Sequence, residues 1–274
     1  MAIDDVVNET MKEKKERIMI TGDYHIPFQD NKAVDIMLQF ARDYKPNHFV
    51  INGDLMDFYG ISKFDKNPER SGQTSLQQEI DKANDILDKI KKALPIYCKI
   101  YFADGNHQNR LQRYLWSNTE LFGLEVLMVE NFLRLKERGI KYVTESGDYW
   151  KTATGHLLLG DVVVQHGDNR LNGASMSQYS GYSAKNTMSR MNMSTCMNHT
   201  HRGAVVYHTT PYVRLVGMEA GCLCQKTGTA DWQQGFITFE VENKKSYNHK
   251  FHLIEKGKLI EDKTYSSSAK NPKL

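Results

Sequence analysis

The stretch VINGDLMDFYG, residues 50–60, decides how this chain is read. The apolar run Phe49-Val50-Ile51 has the character of a strand buried on both faces, yet it ends in a glycine and two carboxylates, Asp54 and Asp57. A carboxylate at a buried strand end costs several kcal/mol unless a cation or strong donors meet it. If a common centre meets this one, other strands of the chain should end in the same way.

They do. RIMIT (17–21) runs into Gly22-Asp23-Tyr24-His25, and IYFAD runs into Gly105-Asn106-His107. DVVVQ runs into His166-Gly167-Asp168, and NHTHRG sets His199-Thr200-His201 just before a strand at Ala204. Each set joins Asp, Asn or His to a nearby glycine, which permits a tight turn and close backbone approach.

The elements between these motifs alternate. After the strand at 17–21, Ala33, Val34, Met37, Phe40 and Ala41 form one helical stripe. HFVIN (48–52) is the next strand, and residues 75–94 form an amphipathic helix with a capping box at Ser75 and Gln78 and a stop at Pro95. IYCKIYFA (96–103) completes a βαβαβ order, which argues for α/β architecture with doubly covered strands. Two helices are expected over 108–136, broken near Ser117-Asn118-Thr119. The second half begins with a strand pair around Gly160-Asp161. A Ser-, Asn-, Met- and Tyr-rich stretch at 169–198 follows, helical in part, and then mostly strands that a second sheet would pack against the first. The Met residues of that stretch read as packing under a flexible loop. One domain is expected over 16–262, between a polar segment at 1–15 and a polar, loosely ordered tail at 263–274.

Composition sets the class. With 40% apolar and 25% charged residues in 274, the chain is an ordinary globular protein. A net charge of +3 is too small to diagnose a nucleic-acid binder and does not repel phosphates. Cys98, Cys196, Cys222 and Cys224 form no C-x-x-C pair, so neither a zinc ribbon nor a disulfide framework is implied. An N-terminus without an apolar leader, and no run of membrane-spanning length, lead to the expectation of a cytoplasmic protein away from membranes.

In open α/β sheets, ligand sites gather at the carboxyl ends of strands, so these five loops can converge. Their carboxylates, amide and imidazoles suit a pair of borderline cations such as Mn²⁺, Zn²⁺ or Fe²⁺, and are too rich in nitrogen for Ca²⁺ or Mg²⁺. Asp54 would then meet metal.

The ordered set Asp-x-His, Gly-Asp-x-x-Asp, Gly-Asn-His, His-Gly, His-x-His resembles the calcineurin-like metallophosphoesterase superfamily. The segments GNHQNRLQRYLW and GCLC…WQQGF are most similar to its bacteriophage-type members. The motifs span residues 22–203, about two-thirds of the chain. The resemblance implies a four-layer α-β-β-α sandwich of two mixed sheets flanked by helices, with a dinuclear centre that hydrolyses phosphoesters. It makes Asp23, His25 and His201 ligands of one metal, and Asn106, His166 and His199 ligands of the other, with Asp54 bridging. Mn²⁺ is the expected ion, with Zn²⁺, Fe²⁺ or Ni²⁺ as alternatives. Asp57 would hydrogen-bond a ligand and orient it, and His107 would act on the substrate.

Two positions depart from the family pattern. Gln108 stands where an acid usually follows Gly-Asn-His, which removes a charge that could hold His107 protonated. Asn198 stands where glycine usually precedes His-x-His, and is expected to be tolerated because Asn visits left-handed backbone readily.

The expected reaction is attack of a metal-bridged hydroxide on phosphorus, with His107 protonating the leaving group. A helix starting near His107 would put Arg110 and Tyr114 on its face, so Arg110 could grip a phosphate. Arg202 and Tyr24 adjoin ligands and read as structural, as do His48, His156, His208, His249 and His252. The expected substrate is a phosphodiester, as a nuclease or nucleotide phosphodiesterase would use: DNA, RNA or nucleotides. Competing readings are a phosphomonoesterase acting on nucleotides or proteins, and a catalytically silent, metal-containing nucleic-acid-binding protein. A protein phosphatase of this family would carry Arg-Gly where Phe58-Tyr59 stands.

Overall fold

The computed structural model describes residues 15–62, 75–143, 155–168, 176–226, 231–261 and 263–272. The polar segment expected at 1–15 therefore lies almost wholly outside the described residues.

Strand β1 (Glu16–Thr21) sits centrally in a six-stranded sheet. It pairs in parallel with β2 (His48–Asn52), which pairs in parallel with β3 (Lys99–Ala103), and β3 with β4 (Ile140–Val143). On its other side β1 runs antiparallel to β10 (Gln234–Glu242), and β10 to β11 (Lys245–Ile254). The strands alternate as a doubly covered sheet requires. Met19, Phe49 and Ile51 enter one core, under helices α1 (Asn31–Tyr44) and α2 (Leu76–Ala93). Ile18, Ile20 and Val50 point the opposite way, into a second core.

That second core is closed by a five-stranded sheet in the order β5 (His156–Leu159), β6 (Val162–Gln165), β7 (Ser194–Met197), β9 (Arg214–Ala220) and β8 (Gly203–Thr209). Strand β7 pairs in parallel with β6 and with β9, whereas the outer strands β5 and β8 run antiparallel to their neighbours, and Val164, Cys196 and Met218 meet Ile20 and Phe239 across the interface. Helix α5 (Tyr182–Met191) covers the outer face of this sheet through Ala184 and Met188. The architecture is the α-β-β-α sandwich.

Local chemistry sets the helix ends. Asp30 accepts the N–H groups of Lys32 and Ala33 at the start of α1. The capping box of Ser75 and Gln78 opens α2. Helix α3 (Gln108–Ser117) forms as expected, but the helix expected after it does not. Gly123, with φ +86°, interrupts that stretch, and it breaks into 3-10 turns and a single helical turn, α4 (Val129–Phe132). Of the Met-rich stretch, Met188 packs in α5 and Met197 in β7, both fully buried, while residues 169–175 lie outside the described residues. The tail is more ordered than its composition suggests. Thr264–Ser266 forms β13 against β12 (Lys258–Ile260), and the Asn271 side chain accepts the N–H of Asn31. Among the described residues, no helix is long and apolar enough to cross a membrane.

Candidate metal centre

The five motif loops leave the carboxyl ends of β1, β2 and β3 in one sheet and of β6 and β7 in the other. Asp23, His25, Asp54, His199 and His201 all take left-handed backbone, with φ between 49° and 66°. Such a conformation costs a non-glycine residue roughly 1–3 kcal/mol, and it persists only where surrounding structure enforces it. Here the enforcement is explicit. Past the strand ends, His25 N–H donates to Asp54 O (3.0 Å) and Ile26 N–H to Leu55 O (2.9 Å), so the two loops stay paired. Two glycines allow the side chains to close up. A Cβ on Gly53 would lie 2.2 Å from His166 Nδ1, and one on Gly105 would lie 2.2 Å from Asp54 Oδ1.

The imidazoles are oriented from behind. A carbonyl only accepts, so His166 Nδ1 donates to Asn52 O (2.9 Å) and turns Nε2 inward. His25 Nδ1 donates to Asp57 Oδ2 (3.1 Å), and its Nε2 faces His201 Nε2 at 3.0 Å. Asp57 thus holds the His25 ring from behind. His166 Nε2 lies 3.0 Å from Asn106 Oδ1 and 3.2 Å from Asp54 Oδ2, while His199 Nδ1 lies 2.8 Å from Asn106 Oδ1. Among the described residues, buried Asp23 Oδ1 has no hydrogen-bond partner, although Oδ2 accepts the His199 N–H at 2.8 Å.

Among the described residues, oxygen and nitrogen lone pairs therefore converge on a buried space that holds few donors. With protein groups alone, only shared protons reconcile them. Burial, against the pull of His166, pushes the Asp23 carboxyl up to about 7. Burial disfavours charge on His166, but Asp54 and Asp23 outweigh it and carry that imidazole up to about 10. Burial would also raise Asp54, yet His166 and His107 hold it well below the usual carboxylate range. His199 is lowered to about 4 by burial and by His166, and His201 lies well below its ordinary value by burial and His25, so both keep their lone pairs. A divalent cation replaces such shared protons directly, so the donor set fits the group the sequence implied. Three overlapping groups could hold one: His25, His201 and Cys224; His25, Asp54 and His107; and Asp54, His166 and His199.

His107 sits at the N-terminus of α3, with its N–H on Asp54 Oδ1 (2.9 Å) and Nδ1 donating to Asp57 O (3.0 Å). Its Nε2 accepts from Arg110 Nη2 at 3.1 Å, and Arg110 Nη1 donates to Asp57 Oδ1 at 2.8 Å. Arg110 does fold back to the site.

The departures from the family pattern acquire physical roles. Gln108 is buried and accepts the Gly105 N–H at 3.0 Å, closing the Gly-Asn-His turn rather than addressing His107. Asn198 is not left-handed, contrary to expectation. Its buried amide links the sheets instead, accepting from Asn52 Nδ2 and donating to Gly221 O, both at 3.0 Å. Tyr24 is core, bonded to Thr21, and Arg202 donates to the Ser177 and Thr200 carbonyls. Sequence reasoning missed Glu219, which accepts from Thr200 Oγ1 and the Ala184 N–H beneath the His-x-His turn. It also missed Cys224, 3.8 Å from His201 Nδ1, and Trp232, whose ring lies against His201 at 4.3 Å. Glu219 carries no motif, and Cys224 and Trp232 fall in the GCLC…WQQGF segment, whose resemblance assigned them no role.

Over residues 16–236 the sequence matches the family described as calcineurin-like phosphoesterase. It is 27% identical over 244 residues to the Gene 54 protein of Mycobacterium phage D29, covering 83% of this chain and 89% of that one. The Gene 54 protein of Mycobacterium phage L5 is 26% identical over 241 residues, with the same coverage. Among solved structures, the metallophosphoesterase of Sphaerobacter thermophilus is similar at 14% identity and a TM-score of 0.41, over 87% of this chain and 88% of that one. Vacuolar protein sorting 29 of Cryptosporidium parvum is similar at 12% identity and a TM-score of 0.41, over 88% and 99%.

Proposed function

The chain belongs to the calcineurin-like phosphoesterase family and is a hydrolase acting on ester bonds, and from that premise we propose that it cleaves phosphodiesters of nucleic acid or nucleotides at a centre of two divalent cations. The observation that carries this reading is the inward convergence of lone pairs on the orphaned Asp23 Oδ1. Asp23, His25 and His201 would hold one cation, Asn106, His166 and His199 the other, and Asp54 both. Mn²⁺ is the proposed ion, because an imidazole-rich oxygen and nitrogen set favours borderline cations; Zn²⁺, Fe²⁺ and Ni²⁺ share that preference. When bound, such cations supply an activated water and neutralise phosphate oxygens.

The chain's own residues do the rest. Asp57 and the Asn52 carbonyl fix the tautomers of His25 and His166, so that Nε2 of each faces the centre. His107, with Nδ1 committed to a carbonyl, would exchange a proton with the leaving group through Nε2 once Arg110 Nη2 turns its hydrogen bond from that atom to the substrate. The Arg110 guanidinium, 3.1 Å from that atom, adds positive charge where the leaving oxygen develops its negative charge. Arg110 and the mildly basic chain favour diesters of nucleotides, and the phage relatives favour action in a host cytoplasm.

The test is hydrolysis of bis(p-nitrophenyl) phosphate, p-nitrophenyl phosphate, and single- and double-stranded DNA, each with Mn²⁺, Zn²⁺ or Mg²⁺. Diester turnover exceeding monoester turnover with Mn²⁺ is expected. Turnover of the monoester alone would make the protein a phosphomonoesterase.

A further inference from the structure

The cleft above the candidate centre encloses about 340 Å³, more than one phosphate group needs, and its two ends differ. Contacting rings run from His107 to His25 (4.4 Å), to His201 (4.9 Å) and on to Trp232 (4.3 Å). The His107 end is polar and holds Asp57 and Asn106; at the other the Trp232 ring lies against His201, and Phe28 lines the same cleft from the loop that follows His25. Among the described residues lining the cleft there is no Lys or Arg, so the aromatic end is poorly suited to a second phosphate.

Both aromatic residues are built into the ligand loops. The Phe28 N–H donates to His25 O (2.6 Å), its carbonyl accepts the Gln225 N–H (2.9 Å), and its ring meets Tyr59 edge-on at 5.5 Å. Trp232 is followed by Gln233, whose N–H donates to His201 O (2.8 Å) and whose side chain accepts from Ser180 and from the Gly203 N–H. Yet both rings remain partly exposed, unlike the fully buried core aromatics Phe49, Phe102 and Phe236. Two anchored, partly exposed rings beside a phosphate-binding centre make a stacking surface for a flat π system.

We infer that Phe28 and Trp232 form a subsite for a nucleobase on the ester arm that does not leave, which makes the substrate a nucleoside-bearing diester. This rests on the phosphodiesterase reading above. It assigns specificity to two residues outside the proposed ligand set.

The experiment uses two substrates with the same leaving group, p-nitrophenyl thymidine 5′-phosphate and p-nitrophenyl ethyl phosphate. The wild type should prefer the thymidine arm by on the order of tenfold in kcat/KM, as stacking of one base supplies. Trp232→Leu and Phe28→Leu should shrink that ratio towards one, chiefly through KM, whereas Trp232→Phe and Phe28→Tyr should keep it. A wild-type ratio near one, or a ratio unchanged in both Leu variants, overturns the subsite. A second readout needs no turnover: saturation-transfer NMR of thymidine 5′-monophosphate on zinc-loaded protein. The base protons should receive saturation in the wild type and lose it in either Leu variant. If no phosphoester is hydrolysed, the proposed function fails while this contact still decides the subsite; base protons without saturation in the wild type would refute it.

Discussion

Asp57 accepts Arg110 Nη1 on one carboxylate oxygen at 2.8 Å and His25 Nδ1 on the other at 3.1 Å. One side chain thus ties a residue on the proposed leaving-group side to a proposed metal ligand. Burial alone would raise its carboxyl, but hydrogen bonds from His107 and His25 and the charges of those imidazoles hold it far below the usual range. Replacing it with Asn or Ala should lower metal affinity by roughly 10–100-fold and also release Arg110. Metal titration by calorimetry, compared with Arg110→Ala, separates the two effects. Affinity lost equally in both variants would show that Asp57 acts through the arginine and not through His25.

Asp54 and the ions should stand or fall together. Asp54→Ala is expected to abolish bound metal and activity alike, because its Oδ2 lies within 4 Å of Nε2 of His25, His107 and His166. Two equivalents of metal in this variant, counted by elemental analysis, would reject the shared role. EDTA should inactivate the wild type, with Mn²⁺ restoring it at least as well as Mg²⁺.

His107 and His199 are assigned different work. His199→Ala should lose metal and rate in parallel, whatever the leaving group. His107→Asn should keep its metal, and lose about 10²–10⁴-fold with a nucleoside leaving group but far less with p-nitrophenolate, which departs without a proton. An equal His107 defect for both leaving groups would end its assignment as the acid.

Glu79 lies fully buried in α2, with Oε2 accepting the Phe58 N–H at 3.0 Å. Burial, with the Asp57 charge added, pushes its carboxyl up to about 8 from an ordinary 4.5. Between those values the folded chain keeps a proton that the unfolded chain releases, so this group's stabilisation is present below pH 4.5 and fades as pH rises towards 8. Glu79→Gln should therefore lose less Tm than the wild type between pH 5.5 and 8.5. The scale is about 2–4 °C per kcal/mol in domains near this size. Parallel melting profiles would contradict it.

Most of the fold was legible because its strands and long helices carry strong periodic signals. The doubly buried run at 48–52 and the capped helix at 75–94 both appear where the sequence puts them. The four-residue strands β5 and β6 were legible from their apolar runs around a Gly-Asp turn, whereas β4 follows closely on a stretch read as helix and β7 lies inside the Ser-, Asn- and Met-rich stretch, so neither stood out. For the candidate site, ligand-type residues announced themselves by recurring behind strands. Glu219 did not, because it reaches the His-x-His turn by a tertiary contact that no local spacing encodes, and Trp232, although in the segment that carried the phage-type resemblance, had no ligand-type chemistry to mark its contact with His201.

The two sheets contribute unequal halves of the donor set: Asp23, His25, Asp54 and Asn106 from one, and His166, His199 and His201 from the other. The distances between those halves are fixed by an apolar seam in which Ile20 and Phe239 meet Val164 and Met218. Catalysis therefore works as a gauge of alignment for the whole sandwich. A truncation such as Met218→Ala touches no donor and would ordinarily be scored as a stability defect of about 2–5 kcal/mol. In this architecture it should also loosen cation binding, so a screen for activity would return seam positions alongside the chemical ones.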